Sequence, residues 1–450
     1  MAFEAAVDSR DITPVFPPYP SLWMGGYGWD PRGNHGAVAR SLRAQCLVIW
    51  DDGTPKVLLR ADLISIPRDV NQFIRDTLED EGLVARNDLM MLASHTHSGA
   101  CFGDTRPNPY LLMNLNGEDV DAVNGTANII IDELLDLVRT TLELDRTDVT
   151  LSYTEGSANI GYNRSVGDQV LDTVPILRVS TLDEELFAVV FGAAAHPVAR
   201  GEDEVFDADY PGVASELIES ITGVPALFVQ GACGDQNAHD PHGDAMVVTL
   251  GNKLGQEVVD QLDTADFSPV TGPISTAMVE IDLPLHVDLD DPDVVDELRA
   301  KFEARRNSSN PIAVGWRHAD LMLKLIDSEG LPTHVPMPIQ RWRFAGLTIL
   351  GLAHEPLSAY DLKLKKVFNG NLWVAGYANE CEAYVADNTT LRAGGYEAGW
   401  GDGDDGIAGD GAWTMSYAWP SPLKFSGSRQ AAPGTTERIV IDACVNLLNT

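Results

Sequence analysis

Positive charge is what this 450-residue chain has least of. Lys and Arg number 31 against 67 Asp and Glu, a formal net charge of −36. A surface of that sign repels nucleic acid and anionic membranes, so neither is an expected partner. Cysteine is also scarce. Cys46, Cys101, Cys233, Cys381 and Cys444 are scattered and form no CxxC pair, which argues against a disulfide framework and against a thiolate zinc site. No run approaches the roughly 18 apolar residues of a membrane span. The opening MAFEAAVDSRDITP places Asp and Arg where a secretion signal needs an apolar core. These absences read as a cytoplasmic protein without membrane insertion, and they leave a monomer and a homo-oligomer equally open. A phosphate-binding GxxxxGK[ST] is missing too. Asp402–Gly406 begins like a calcium loop, but its twelfth position is Trp413 where a Glu is needed.

What is present is an ordinary globular composition, 44 % hydrophobic and 22 % charged. Strand-like apolar runs recur at Ala44–Trp50, Val57–Leu63, Leu89–Ser94, Leu186–Ala195, Pro225–Gln230, Met278–Pro284, Leu347–Leu352 and Leu372–Tyr377. Helical patterns lie between them, at Val120–Leu144, Pro211–Glu219, Val247–Leu262, Asp291–Arg306 and Pro356–Val367. This alternation predicts an α/β or α+β fold with a mixed sheet, organised as a single domain over residues 1–450. A weak boundary is expected near Thr271, where Asp and Pro become frequent. The glycine-rich Gly394–Gly411 predicts a surface loop.

Polar residues step off the ends of several apolar runs. His95-Thr96-His97 follows the run ending at Ser94, His196-Pro197 the one ending at Ala195, and Gly234-Asp235 the one ending at Gln230. His354-Glu355 follows Leu352, and Asn379 and Tyr384 follow Tyr377. Open sheets bind ligands outside the carboxyl ends of their strands, so these side chains converge if the strands are neighbours. In extended backbone, residues two apart share a side, which lets His95 and His97 serve one metal or one substrate. Each residue also has a bland reading. Paired histidines hydrogen-bond in turns, a lone His196 packs in a core, and a buried Tyr384 satisfies its hydroxyl locally. Glu355 at a buried strand end is costly unless paired or ligated.

Order and spacing of the segments carry more. Asp11-Ile12-Thr13, Met24-Gly25-Gly26-Tyr27, Arg40 with Arg43-Ala44, HTHSG from His95, and Asn163-Arg164-Ser165 come first. Ala195-His196-Pro197-Val198, DYPGVAS from Asp209, Gly234-Asp235, Glu355, and Ala378–Ala398 with Tyr384 and Tyr396 follow. In these segments the chain resembles the neutral, non-lysosomal ceramidases, from about Asp11 to Tyr396. The resemblance implies a zinc site of His95, His196, Glu355 and Tyr384, with water activated by the metal. It implies His97 as the proton shuttle, and Arg164 and Tyr396 as stabilisers of the tetrahedral oxyanion. Asp235, Gln236 and Asn237 are implied to contact substrate.

The departures are equally informative. The family has Ser in the stretch after Gly-Asp, and here that position is Asn237, which excludes a serine nucleophile at that position. Ala100-Cys101-Phe102, followed by Pro107-Asn108-Pro109, replaces the glycine-rich continuation of HTHSG. No counterpart of the immunoglobulin-like C-terminal domain is expected. The resulting expectation is a zinc-dependent hydrolase of a linear, non-peptide amide, with a small soluble substrate in place of membrane ceramide. An ester or lactone hydrolase, and a non-catalytic metal-dependent binding protein, are the alternatives. His239 and His242 suggest a second metal, against the plainer reading of a polar loop.

Overall fold

The computed structural model describes residues 3–27, 31–102, 114–167, 169–311, 313–399, 407 and 419–450. The stretch Pro107–Pro109 and the calcium-like Asp402–Gly406 lie outside the described residues, as does most of Gly394–Gly411 beyond Gly399.

The strands are β1 (Phe3–Asp11), β2 (Arg43–Asp51), β3 (Thr54–Ala61), β4 (Leu89–Ala93), β5 (Thr147–Ser157), β6 (Gly161–Asn163), β7 (Thr173–Thr181), β8 (Leu186–Ala193), β9 (Ala226–Gln230), β10 (Gln236–Ala238), β11 (Ser268–Pro284), β12 (His334–Ala345), β13 (Leu347–Leu352), β14 (Glu355–Pro356), β15 (Leu372–Ala375) and β16 (Tyr384–Val385). The helices are α1 (Arg68–Asp80), α2 (Gly117–Glu143), α3 (Asp209–Thr222), α4 (Asp244–Thr264), α5 (Pro292–Ser308), α6 (Val314–Asp327), α7 (Ser358–Val367), α8 (Asn388–Ala393) and α9 (Thr436–Asn449).

One twelve-stranded mixed sheet organises the chain, and it branches at β5. One edge of β5 pairs with β7 from Val149 to Ser157. The other edge is shared by β1, through Thr147–Val149, and β11, through Leu151–Tyr153. Three arms result: β1-β2-β3-β4, β7-β8-β9, and β11-β12-β13-β15. Each arm ends in a parallel pair, β3 with β4, β8 with β9, and β13 with β15. Bridges Leu92↔Ala378 and Gly231↔Ala375 tie the arm tips together. The carboxyl ends of three parallel pairs therefore open onto one place.

Packing explains why the arms fold inward. Their facing sides share one core, in which Met90 of the first arm, Val190 of the second and Trp342 of the third are all buried. The outer faces carry helices: α1 and α2 on the first arm, α3 and α4 on the second, α7 and α9 on the third. With both faces covered, β4 (LMMLA), β9 (ALFVQ) and β13 (LTILGL) are buried at every residue. That is the continuous apolar pattern of parallel strands.

All eight apolar runs form strands and all five helical patterns form helices. β1, β5, β7 and β12 escape the apolar reading, as do the short β6, β10, β14 and β16. β5, TDVTLSYTEGS, alternates buried and open positions and carries polar residues on its open side. The boundary near Thr271 is corrected. Thr271 lies inside β11, whose first residues pair with β5 and whose remainder pairs with β12. No helix among the described residues is long and apolar enough to cross a membrane.

Candidate metal centre

His95 leaves β4 with φ 66°, a left-handed conformation that turns the chain across the strand ends. The extended i, i+2 geometry expected for His95 and His97 is therefore corrected: a turn, not a strand, brings their rings to 4.9 Å between centroids. His95 Nδ1 lies 2.6 Å from the Ile64 carbonyl. His196 leaves β8, and its Nδ1 lies 2.8 Å from Cys233 O and 3.0 Å from Gln236 O. A carbonyl can only accept, so Nδ1 carries the proton in both rings and each Nε2 presents a lone pair. Those lone pairs face one carboxylate. Glu355 Oε2 is 3.1 Å from His196 Nε2 and 3.4 Å from His95 Nε2, and His97 Nε2 is 3.3 Å from His95 Nε2.

Lone pairs converging on a buried anion repel one another unless a cation lies among them. Carbonyl-anchored imidazoles with a carboxylate are a nitrogen and oxygen donor set that suits zinc. Among the described residues, His95, His97 and His196 are the group able to hold a metal ion, their ligand atoms within 4.8 Å of one another. Electrostatics agree. Burial pulls His196 down to about 4 and His97 well below its ordinary value, with neighbouring imidazoles adding to the effect on His97. Both rings are neutral, the form in which an imidazole can ligate a metal or accept a proton.

The residues around the cluster are fixed by their own partners. Glu355 pairs in parallel register with Tyr384, which brings the fourth expected ligand beside the third. His354, with φ 67°, accepts from the Glu382 amide at Nδ1 and donates from Nε2 to Pro336 O, so it is a strut and not a ligand. Gly234 is required where it stands, because a Cβ there would meet Glu355 O at 2.7 Å. Tyr377 was passed over as a site residue, although it closes the Leu372–Tyr377 run. Its hydroxyl donates to Glu355 Oε2 (3.3 Å) and accepts from Cys233 Sγ (3.2 Å), while its ring covers His95 at 4.1 Å. Arg32 was missed as well. It is buried, lies over the Tyr27 ring, and donates to the carbonyls of Gly25 and His97. Gly26, at φ 100°, presses so closely on His97 that a Cβ would stand 2.7 Å from its Cα.

A second group lies beside the cluster. Arg164 follows β6, and its Nε donates to Glu397 Oε1 (2.8 Å). Nη1 donates to Asn237 Oδ1 (2.8 Å), and Nη2 to Gly234 O (2.9 Å) and the Tyr384 hydroxyl (3.0 Å). Burial opposes its charge, but Tyr384, Glu397 and Tyr396 outweigh that and keep it cationic. Tyr396 lies 5.4 Å from Tyr384, ring to ring, and is half-buried against the third arm's outer core.

Two of the three residues expected to contact substrate have framework partners. Asp235 accepts from the Ser358 amide and hydroxyl and from Asn163. Gln236 accepts from the Leu171 amide and donates to Ala194 O. Both side chains serve the framework, and Asn237 alone of the three remains partly open. His239 bonds Asn159, and His242 bonds Val198 O and Asp240, as a polar loop would.

No family profile and no curated protein matches the chain. Solved structures do. The neutral ceramidase from Pseudomonas aeruginosa superposes with a TM-score of 0.69 at 17 % identity, covering 100 % of this chain and 75 % of that one. A ceramidase complexed with C2 gives 0.69 at 16 %, covering 100 % of this chain and 76 % of that one. The branched sheet and the strand ends that gather His95, His196 and Glu355 thus give this chain a neutral ceramidase-like fold.

Proposed function

We propose that the protein is a zinc-dependent hydrolase that cleaves a linear, non-peptide amide on a small soluble substrate. The observation that carries this reading is the convergence of carbonyl-anchored imidazoles on the Glu355 carboxylate. His95, His196 and Glu355 would hold the ion, with Tyr384, paired in register with Glu355, as the further ligand. When bound, zinc supplies Lewis acidity to a carbonyl oxygen and to water. His97 is the half-buried imidazole of the cluster and is suited to moving a proton between water and the leaving amine. The Arg164 group supplies positive potential and hydroxyl donors to the carbonyl oxygen as it gains charge. The strongly acidic composition supports a soluble substrate over a membrane lipid.

The test is a panel of N-acyl amides against matched esters, with long-chain ceramide in detergent micelles as a third arm. Turnover of small amides that tracks zinc content supports the reading. Efficient ceramide hydrolysis, or hydrolysis of esters alone, contradicts it.

A further inference from the structure

Resting on that reading, we infer that Asn237 is a catalytic hydrogen-bond donor to the carbonyl oxygen of the substrate, and that Arg164 acts mainly by holding it there. Arg164 was expected to be the donor itself. Its hydrogen bonds leave little for that role. Nε is spent on Glu397, one Nη1 hydrogen on Asn237, and Nη2 on Gly234 O and Tyr384, so a single N–H remains of the five a guanidinium carries.

The same bonds define the orientation of Asn237. A guanidinium can only donate, so the amide must turn Oδ1 toward Arg164. Its Nδ2 then points its two N–H groups elsewhere. Those groups have no hydrogen-bond partner among the described residues, and Asn237 is half-buried, not sealed. The backbone is held as firmly as the side chain. Asn237 pairs with Tyr162 in the β6–β10 ladder and bridges to His196 of the metal cluster. Through one guanidinium, its amide is coupled to the hydroxyl of Tyr384, the residue whose backbone pairs with Glu355. The result is a preorganised, neutral donor that does not titrate, at the edge of the cluster. Such a donor stabilises charge developing on oxygen without reorganising. It neither attacks nor exchanges a proton, so the chemistry selects a substrate whose reacting group offers an oxygen acceptor there.

The experiment uses the zinc-loaded protein, with para-nitroacetanilide as the amide probe. Asn237→Leu keeps the volume and removes the donor, while Asn237→Ser returns a shorter one. The expected result for Asn237→Leu is a fall in kcat of roughly 10²- to 10³-fold, with KM within about threefold because the bond is made chiefly in the transition state. Zinc content should not change, and Asn237→Ser should recover at least part of the lost kcat. An active wild type whose Leu variant keeps its kcat, or changes in KM alone, overturns this inference and leaves the proposed function standing. A Leu variant that has lost zinc, or a loss that Ser does not relieve, marks Asn237 as merely structural and overturns it as well. A wild type inert on every amide overturns the proposed function and this inference with it.

Discussion

The two halves of the site are built differently. In the metal half, His95 and His196 are anchored by backbone carbonyls, at the ends of strands buried on both faces. In the Arg164 half, most of the bonds run between side chains: one guanidinium links Glu397, Asn237 and Tyr384, residues far apart in sequence. Carbonyl anchors change little when a side chain is replaced. A side-chain network fails together when its centre is lost. The comparison teaches that the first half should tolerate its neighbours' mutation, and the second should not.

The strongest way to break the comparison is at Arg164. Arg164→Lys keeps a cation for Glu397 but cannot hold Asn237, Gly234 O and Tyr384 in one planar fork. Turnover should fall by on the order of 10²- to 10³-fold, as for a lost oxyanion donor, with zinc retained. Steady-state kinetics beside metal analysis check both. Tyr396→Phe sharpens the same half. It should lower kcat by roughly 10- to 10³-fold with little change in KM; unchanged turnover would remove its hydroxyl from the site.

His97 tests the border between the halves. His97→Ala should lower turnover by about 10²-fold, the scale of a lost proton shuttle, while zinc stays bound. The cluster geometry makes this a sharp test, because His97 Nε2 is as close to His95 as the carboxylate is. Metal loss as complete as in His95→Ala would assign His97 to the ligands.

The smallest effect concerns the buried struts. Burial pulls His354 down to about 4, and His318, a buried residue of α6 whose Nε2 lies 3.1 Å from Trp419 O, to about 3. Both are neutral when folded, and both titrate near 6.5 when unfolded. Their stabilisation is complete above about pH 6.5 and declines as pH falls toward the folded values, by about 1.4 kcal/mol per pH unit for each. Urea midpoints of metal-free protein between pH 7 and pH 4 read this, and His318→Gln should flatten the slope.

The metal half was legible in the sequence because buried parallel strands are apolar at every position and end abruptly in His or Glu. The eight apolar runs put His95, His196 and Glu355 at strand ends, and the resemblance to the neutral ceramidases implied them as ligands. The left-handed turn at His95 was not legible, since nothing in HTH distinguishes it from extended backbone. Tyr396 falls in the stretch Gly394–Gly411 expected to be a surface loop, yet it packs against a core drawn from β11, β13 and α9. That contact depends on the fold of the third arm, which local sequence does not reveal. Asp235 and Gln236 stood beside Asn237 in one segment, and only hydrogen-bond partners up to about 120 residues away separate framework from open side chain.

The most direct test of the account is metal content. Protein purified without added metal, examined by elemental analysis beside His196→Ala, should hold one zinc per chain in the wild type and little in the variant. A wild type without zinc, or a variant with full occupancy, would contradict the assignment of His95, His196 and Glu355 as its ligands.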